Sequence, residues 1–196
     1  ADDTVRGIGD GLRTGVVHAD VTDVNVVCRT DRARRPVPDG LIDFGDIART
    51  WLVSDAAVAA VAAVLHDPAR PLQTAAHVVR GYHSVLPRTE EELAAVWPLV
   101  VMRSALCAVS SEQQAQLEPH NGYAVESQAG DWQVWRSVAQ VPWSLAEEHV
   151  RAAVGLAPTV ARTTAVRHLA DTAGTGPVVA VLGDRPASVV DLSTTT

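Results

Sequence analysis

Basic charge, aromatic side chains and cysteine are all scarce in this chain. Its 196 residues carry 16 Lys and Arg against 23 Asp and Glu, a net charge of -7. The acids are spread along the length, whereas nucleic-acid-binding domains usually present a basic face, so no nucleic-acid partner is expected. Aromatics make up 4% and hydrophobic residues 47%, which leaves packing to Ala, Val and Leu at helix interfaces. Cys28 and Cys107 are far apart and lack metal-ligand spacing, which argues against a disulfide framework or a zinc site. The opening Ala1-Asp2-Asp3 has no basic start leading into an apolar block, so no secretory signal is read there. The longest apolar run, Ala56 to Leu65, is too short to span a bilayer. A soluble, cytoplasmic protein with no membrane partner is the expectation. His66, His77, His83, His120, His149 and His168 share no ligand spacing. No Ser, His and Asp set with a nucleophile elbow is present, which removes support for a hydrolase.

What the chain does have is concentrated near its start. His18-Ala19-Asp20-Val21-Thr22-Asp23-Val24-Asn25 is followed, after a turn-rich stretch, by Leu41-Ile42-Asp43-Phe44-Gly45-Asp46. An Asp, an Asn five positions on and a second Asp inside an apolar run is the order in which kinase-fold phosphotransferases deploy a base and two magnesium ligands. Phosphoryl transfer needs an aimed acceptor hydroxyl and cations that neutralise the phosphate oxygens. Asp20 suits the first task, because a carboxylate beside the hydroxyl orients it and takes its proton. Asn25 and Asp43 suit the second, since Mg2+ prefers hard oxygen ligands and keeps several waters. Gly15 to His18 and Val24 to Arg29 read as strands, and Thr30 to Gly40, with its two prolines and Asp39-Gly40, as a loop. Leu41 to Phe44 reads as a third strand antiparallel to the second, with Gly45 free to take a left-handed angle. The basic cluster Arg32, Arg34 and Arg35 falls in the loop and reads as a solvated turn.

The segment from Val16 to Asp46 resembles the aminoglycoside phosphotransferase and choline kinase superfamily, whose members carry H-G-D-x-x-x-x-N and then I-D-F/W-x-D or I-D-F-E. Arg80-Gly81-Tyr82-His83, the helix start Thr89-Glu90-Glu91-Glu92-Leu93, Arg103, and Asn121-Gly122-Tyr123 with Trp132 look like the branch related to hydroxylysine kinases. That branch includes phosphotransferase domains fused ahead of a peptidase-like domain and a class III aminotransferase. The likeness runs from about Leu12 to about Pro158. It implies Asp20 as catalytic base, Asn25 and Asp43 as metal ligands, His18 as a scaffold of the catalytic loop, and Asp55 as the acid that ties that loop down through backbone hydrogen bonds. Its co-substrates would be ATP or GTP with Mg2+. Ala19 stands where the family usually has Gly, so the backbone there is expected to suit a side chain. No glycine-rich loop or phosphate-pairing Lys precedes His18, so the chain is expected to be a fragment lacking the N-terminal nucleotide lobe.

The remainder reads as helix. Trp51 to His66, ended by Asp67-Pro68, is apolar nearly all round. Leu72 to Val85 follows, then Glu90 to Val109, opened by a Thr89/Glu92 capping box and kinked or interrupted near Pro98. Pro119 to Gln128 and Asp131 to Ala139 read as two shorter helices. Ser144 with Glu147 reads as a capping box for one more, reaching Val154 before Gly155. Thr159 to Thr172 reads as helix, with β-prone runs at Val178 to Leu182 and Ser188 to Leu192.

The expected fold class is α+β, mostly helical: the C-terminal lobe of a protein-kinase-like fold with a small antiparallel strand set at the catalytic loop. Its domains are 1–157, with the catalytic and metal loops at 16–46 and a helical part at 47–157, then 158–196 as linker and start of a further domain. The expected reaction moves the terminal phosphate of ATP or GTP to a hydroxyl of a small amine-bearing metabolite, an amino alcohol or a hydroxy amino acid. Asp46, Tyr82, Glu91, Trp97 and Arg103 are the candidates for the acceptor pocket. The alternative is a non-catalytic helical module that scaffolds or regulates fused domains.

Overall fold

Among the described residues, two short antiparallel ribbons precede five helices. The computed structural model describes residues 9, 11–160, 163, 164, 167, 178–182 and 185–188. Strand β1 (Thr14–Val17) pairs with β4 (Ala48–Trp51), and β2 (Val26–Thr30) pairs with β3 (Pro36–Leu41). The helices are α1 (Val53–His66), α2 (Pro71–Val85), α3 (Glu90–Leu117), α4 (Gly122–Ala139) and α5 (Trp143–Ala153). A third ribbon joins β5 (Val178–Leu182) to β6 (Arg185–Ser188). The class is α+β and mostly helical. The chain divides into two units, Ala1–Leu156 and Ala157–Thr196. The runs read as Thr159 to Thr172 and Ser188 to Leu192 lie largely outside the described residues.

The β1/β4 ribbon closes the segment that carries the motif residues. Val17 pairs with Ala48 and Thr14 with Trp51, so residues 18–47 leave and return at one edge. Gly15 leaves room in this ribbon for Leu52, which leads into α1: a Cβ there would sit 2.5 Å from Leu52 Cδ2 and that side chain would have to shift. The loop expected over 30–40 is shorter, and the strand expected at 41–44 lies earlier: β3 includes Pro36 and Pro38. Residues two apart in a strand point their backbone nitrogens to the same side. Both missing donors can therefore face the open edge of a two-stranded ribbon at no loss of ladder bonds. The turn between β2 and β3 is made by Asp31, whose Oδ1 accepts from the Ala33 and Arg35 nitrogens at 2.8 Å, with Arg34 left-handed.

The core is built from small and branched residues at helix crossings. Val53, Ala57, Ala60 and Val64 of α1 meet Ala75 and Val79 of α2, Leu93, Val96, Trp97 and Val100 of α3, Val134 and Val138 of α4, and Ala146 and Val150 of α5. Alanines on these faces let the axes approach closely, which is how a chain poor in aromatics still reaches interior density. By length and composition α3 is apolar enough to cross a membrane; here its Leu93, Val96, Trp97 and Val100 lie in the core.

Several helix limits differ from those read in the sequence. Pro98 does not interrupt α3, which runs from the Thr89 cap to Leu117; one missing N–H in a helix of this length is offset by the packing of its neighbours Trp97 and Val100. The two short helices expected over 119–139 are one. Gly130 is no break: a Cβ there would lie 3.0 Å from Leu65, so the residue serves the approach of α4 to α1. Ser144 does not cap α5, whose first residue is Trp143 after Pro142, because the Pro142 carbonyl already accepts from Ala146 and Trp143 packs on the core. Trp51 ends β4 and does not begin α1.

Candidate active site

The turn from His18 to Asn25 is held from two directions. Asp55, near the first turn of α1, accepts from the His18 nitrogen at 3.0 Å through Oδ2 and from the Ala19 nitrogen at 2.8 Å through Oδ1. A carboxylate suits that place, since the helix N-terminus favours negative charge. From the other side, His18 Nε2 lies 3.0 Å from the Ile42 carbonyl, and the His18 ring sits 5.0 Å from that of Phe44. His18 thereby links the two motif segments, which also meet where the Ile42 nitrogen donates to the Asn25 carbonyl at 3.0 Å.

The backbone here is unusual at two non-glycine residues. Ala19 has φ of 65° and Asp43 of 60°, whereas Gly45 is not left-handed. The expectation that residue 19 would relax to suit a side chain is thus corrected. The left-handed turn occurs together with the two Asp55 bonds, and alanine adopts it against a steric penalty of roughly 1 kcal/mol. Asp is among the residues that tolerate this region best, which lets Asp43 close the turn into the Phe44–Asp46 helical turn.

Asp20 is the centre of the polar set. Asn25, buried, donates its amide nitrogen to Asp20 Oδ2 at 2.9 Å and to the Asp20 carbonyl at 3.0 Å. Arg103 of α3, 83 positions away, donates to Asp20 Oδ1 at 2.9 Å. With its nitrogen committed to Asp20, the Asn25 amide turns its oxygen the other way. An amide oxygen and a carboxylate are hard donors of the kind a divalent cation such as Mg2+ takes, and the Ile42 bond to the Asn25 carbonyl brings the segments carrying Asn25 and Asp43 together.

The acceptor candidates separate in space. Arg103 alone among them pairs with Asp20. Trp97 is 1% exposed within the core, so its ring does not receive a cation from solvent. Glu91 is exposed in the first turn of α3; at ~1.5 Å per residue, its distance along the helix from Arg103 is about 18 Å. Tyr82 lies behind the turn: the Arg88 guanidinium stands over its ring at 5.1 Å, and burial, then the Asp55 charge, pushes its phenol up to about 12. Asp46 ends the exposed helical turn after Asp43.

Spacing gave no sign of three further residues. Arg13, just before β1, donates from Nε and Nη2 to Glu92 at 2.9 and 2.6 Å, fastening the first ribbon to α3. Arg88 is buried at 3.9 Å from Glu92 with no hydrogen-bond partner for its guanidinium among the described residues, and burial lowers its pKa. His66, at the end of α1, meets Asp23 at 2.9 Å and holds the far side of the turn.

Comparison with known proteins adds one kind of relative. Over 114 residues the chain is 26% identical to a hydroxylysine kinase of Mus musculus, covering 56% of this chain and 30% of that protein. It is 26% identical over 110 residues to a hydroxylysine kinase of Danio rerio and 25% over 115 residues to one of Xenopus laevis, covering 31% and 30% of those proteins. The chain thus spans under a third of the length of the curated relatives it matches. No family model matches the chain, and no solved structure matches it. At low identity, the likeness is to small-molecule phosphotransferases.

Proposed function

We propose that this chain is the C-terminal lobe of a kinase-like phosphotransferase, acting on a hydroxyl of a small amine-bearing metabolite with ATP or GTP as donor. The observation that carries the reading is the set around Asp20, a carboxylate fixed by Asn25 and Arg103 in a turn that the Ile42 bond to Asn25 joins to the segment of Asp43. A divalent cation held by Asn25 and Asp43 would neutralise charge on the phosphate oxygens. Asp20 orients the acceptor hydroxyl and receives its proton. The acceptor oxygen forms a bond to the terminal phosphorus, the bond from that phosphorus to the bridging oxygen breaks, and the nucleoside diphosphate leaves with the electron pair.

All 16 of the Lys and Arg positions are Arg, so any permanently cationic side chain that this chain offers the phosphates is an Arg. The nucleotide itself is proposed to bind against a partner lobe. The face around the turn supports this, since Val16, Val24, Ile42 and Phe44 are all exposed there and exposed apolar side chains grouped together mark a binding face.

The test is Asp20→Asn in the full-length protein. Turnover should fall by about 10²–10⁴ while the nucleotide KM holds, because a positioned general base contributes on that order. A variant with near-wild-type turnover removes Asp20 from the role. A screen of amino alcohols and hydroxy amino acids identifies the acceptor.

A further inference from the structure

The reaction proposed above leaves a polar groove on another face unused. Between α2 and α5 the surface opens into a cavity of about 340 Å³, lined by Ala76, His77 and Arg80 from one helix and His149, Ala152 and Ala153 from the other. Helix spacing explains both sets. Residues 76, 77 and 80 fall three and four apart and share a face of α2, as residues 149, 152 and 153 do on α5. On the adjoining faces Ala75 and Val79 meet Ala146 and Val150 in the core, which fixes the two helices side by side. The alanines are too small to fill the groove between them. Three nitrogen-bearing side chains are left on its lining.

Charge in this groove has one sign, since its lining contains no Asp or Glu. Arg13, Arg103 and Arg151 are each paired with an acid, Glu92, Asp20 and Glu90 in turn. Arg80 differs: among the described residues it has no hydrogen bond or ion pair, so all of its N–H donors are open to a ligand. The ring of His77 is oriented from its own helix. Its Nδ1 lies 3.1 Å from the Gln73 carbonyl, which can only accept, so Nδ1 carries a proton and Nε2 is the ring atom left for a ligand.

These groups select among anions. A carboxylate has two oxygens, and a guanidinium alone can take up both; partners arriving from two helices call for a third oxygen, which a tetrahedral phosphate has. A phosphate monoester also gains or loses a proton near neutral pH. It can therefore meet Nε2 of a neutral imidazole as a P–OH donor and an imidazolium as an acceptor, an option closed to a sulfate ester. The volume stands at the lower end of small-molecule pockets, enough for the phosphate and a short carbon chain.

We propose that the groove between α2 and α5 binds a small phosphate monoester, with Arg80 taking two phosphate oxygens and His77 and His149 the third from either side. None of the residues around Asp20 lines this groove. The assignment is thus independent of the phosphotransferase reading and goes beyond it.

Calorimetry on the full-length protein with methyl phosphate, methyl sulfate and acetate tests this. Methyl phosphate should bind about ten-fold tighter than either of the others, the margin of a charge-assisted hydrogen bond. Arg80→Gln should weaken it by about ten-fold or more, Arg80→Lys should keep part of the loss from occurring, and His149→Gln should cost a smaller factor. Arg80 is exposed, so its variants test the contact without disturbing the core. Asp20→Asn should leave the affinity for methyl phosphate unchanged. Equal binding of acetate or methyl sulfate overturns the proposal, as does an affinity that survives Arg80→Gln, or no binding of methyl phosphate. A loss caused by Asp20→Asn would also overturn it, by placing the phosphate at the catalytic turn. Sedimentation with phosphatidic acid vesicles in the absence of methyl phosphate binding would overturn it in favour of a lipid surface.

Discussion

At Ala19 a single methyl group sets a conflict between local preference and the hydrogen bonds of the site. At a left-handed φ of 65° both the His18 and Ala19 nitrogens reach the Asp55 carboxylate, yet a Cβ opposes that angle. Ala19→Gly removes the opposition and adds some freedom to the unfolded chain, so the net gain should be about 0.5–1 kcal/mol. Urea denaturation measures it, and a variant less stable than the parent would show that the methyl contributes packing that outweighs the strain. The meeting of the His18–Asn25 turn with the Leu41–Asp46 segment was legible because their spacing is local and chemical. The pairing of Arg103 with Asp20 was not, since 83 positions separate them and a lone Arg on an apolar helix carries no spacing signal. The left-handed residue was sought at Gly45 and lies at Asp43 instead, because composition marks where such an angle is easy and tertiary bonds decide where it is used.

Elements whose ends are set by neighbours in sequence were the ones readable from it. Thr89 Oγ1 accepts from the Glu92 nitrogen at 3.2 Å and Glu92 Oε2 from the Thr89 nitrogen at 3.1 Å, a reciprocal cap contained in four residues. Strand β3 hid in a proline-bearing loop, and the β1/β4 pairing joins Val17 to Ala48 across a long excursion, so neither leaves a local trace. Glu92 shows how one element end becomes a hub: it caps α3, takes both Arg13 bonds and faces buried Arg88. Burial alone would raise its carboxyl, but the Arg13 hydrogen bonds, the Thr89 nitrogen and the charges of Arg13 and Arg88 hold it below its ordinary 4.5. A carboxyl with a folded pKa lower than its unfolded one contributes stability that is full above the unfolded value and is lost as pH falls through the folded one. Unfolding free energy should therefore decline below pH 4.5. Glu92→Gln should flatten that acid decline and remove about 3 kcal/mol at neutral pH, because Arg88 is left buried without its counter-charge. Denaturation curves from acid to neutral pH for both proteins check this; parallel curves would shift the acid sensitivity to another carboxylate.

At the scale of the molecule, the question is where the cooperative unit that carries Asp20 and Arg103 ends. Among the described residues, the buried core runs from Leu12 to Val150, and Leu156 is the last side chain packed against it. The chain leaves α5 through a Schellman turn: Gly155, at φ of 79°, donates to the Ala152 carbonyl, and Leu156 donates to that of Arg151 at 2.9 Å. Carbonyls at the end of the helix are thus satisfied from within the first unit, and among the described residues Leu156 also makes the last apolar contact with that core. Composition changes character at the same point, where Ala-rich helix gives way to Gly, Pro and Thr. A protein cut after Leu156 should accordingly unfold in one cooperative urea transition, with a free energy within about 0.5 kcal/mol of the corresponding transition in the longer chain, the usual margin for changes outside a core. The Arg103 guanidinium should keep its contact with Asp20, visible as slowed exchange of its N–H protons by NMR. Loss of cooperativity or of that protection on truncation would mean that residues beyond Leu156 complete the unit, and the site would then have to be rebuilt with them included.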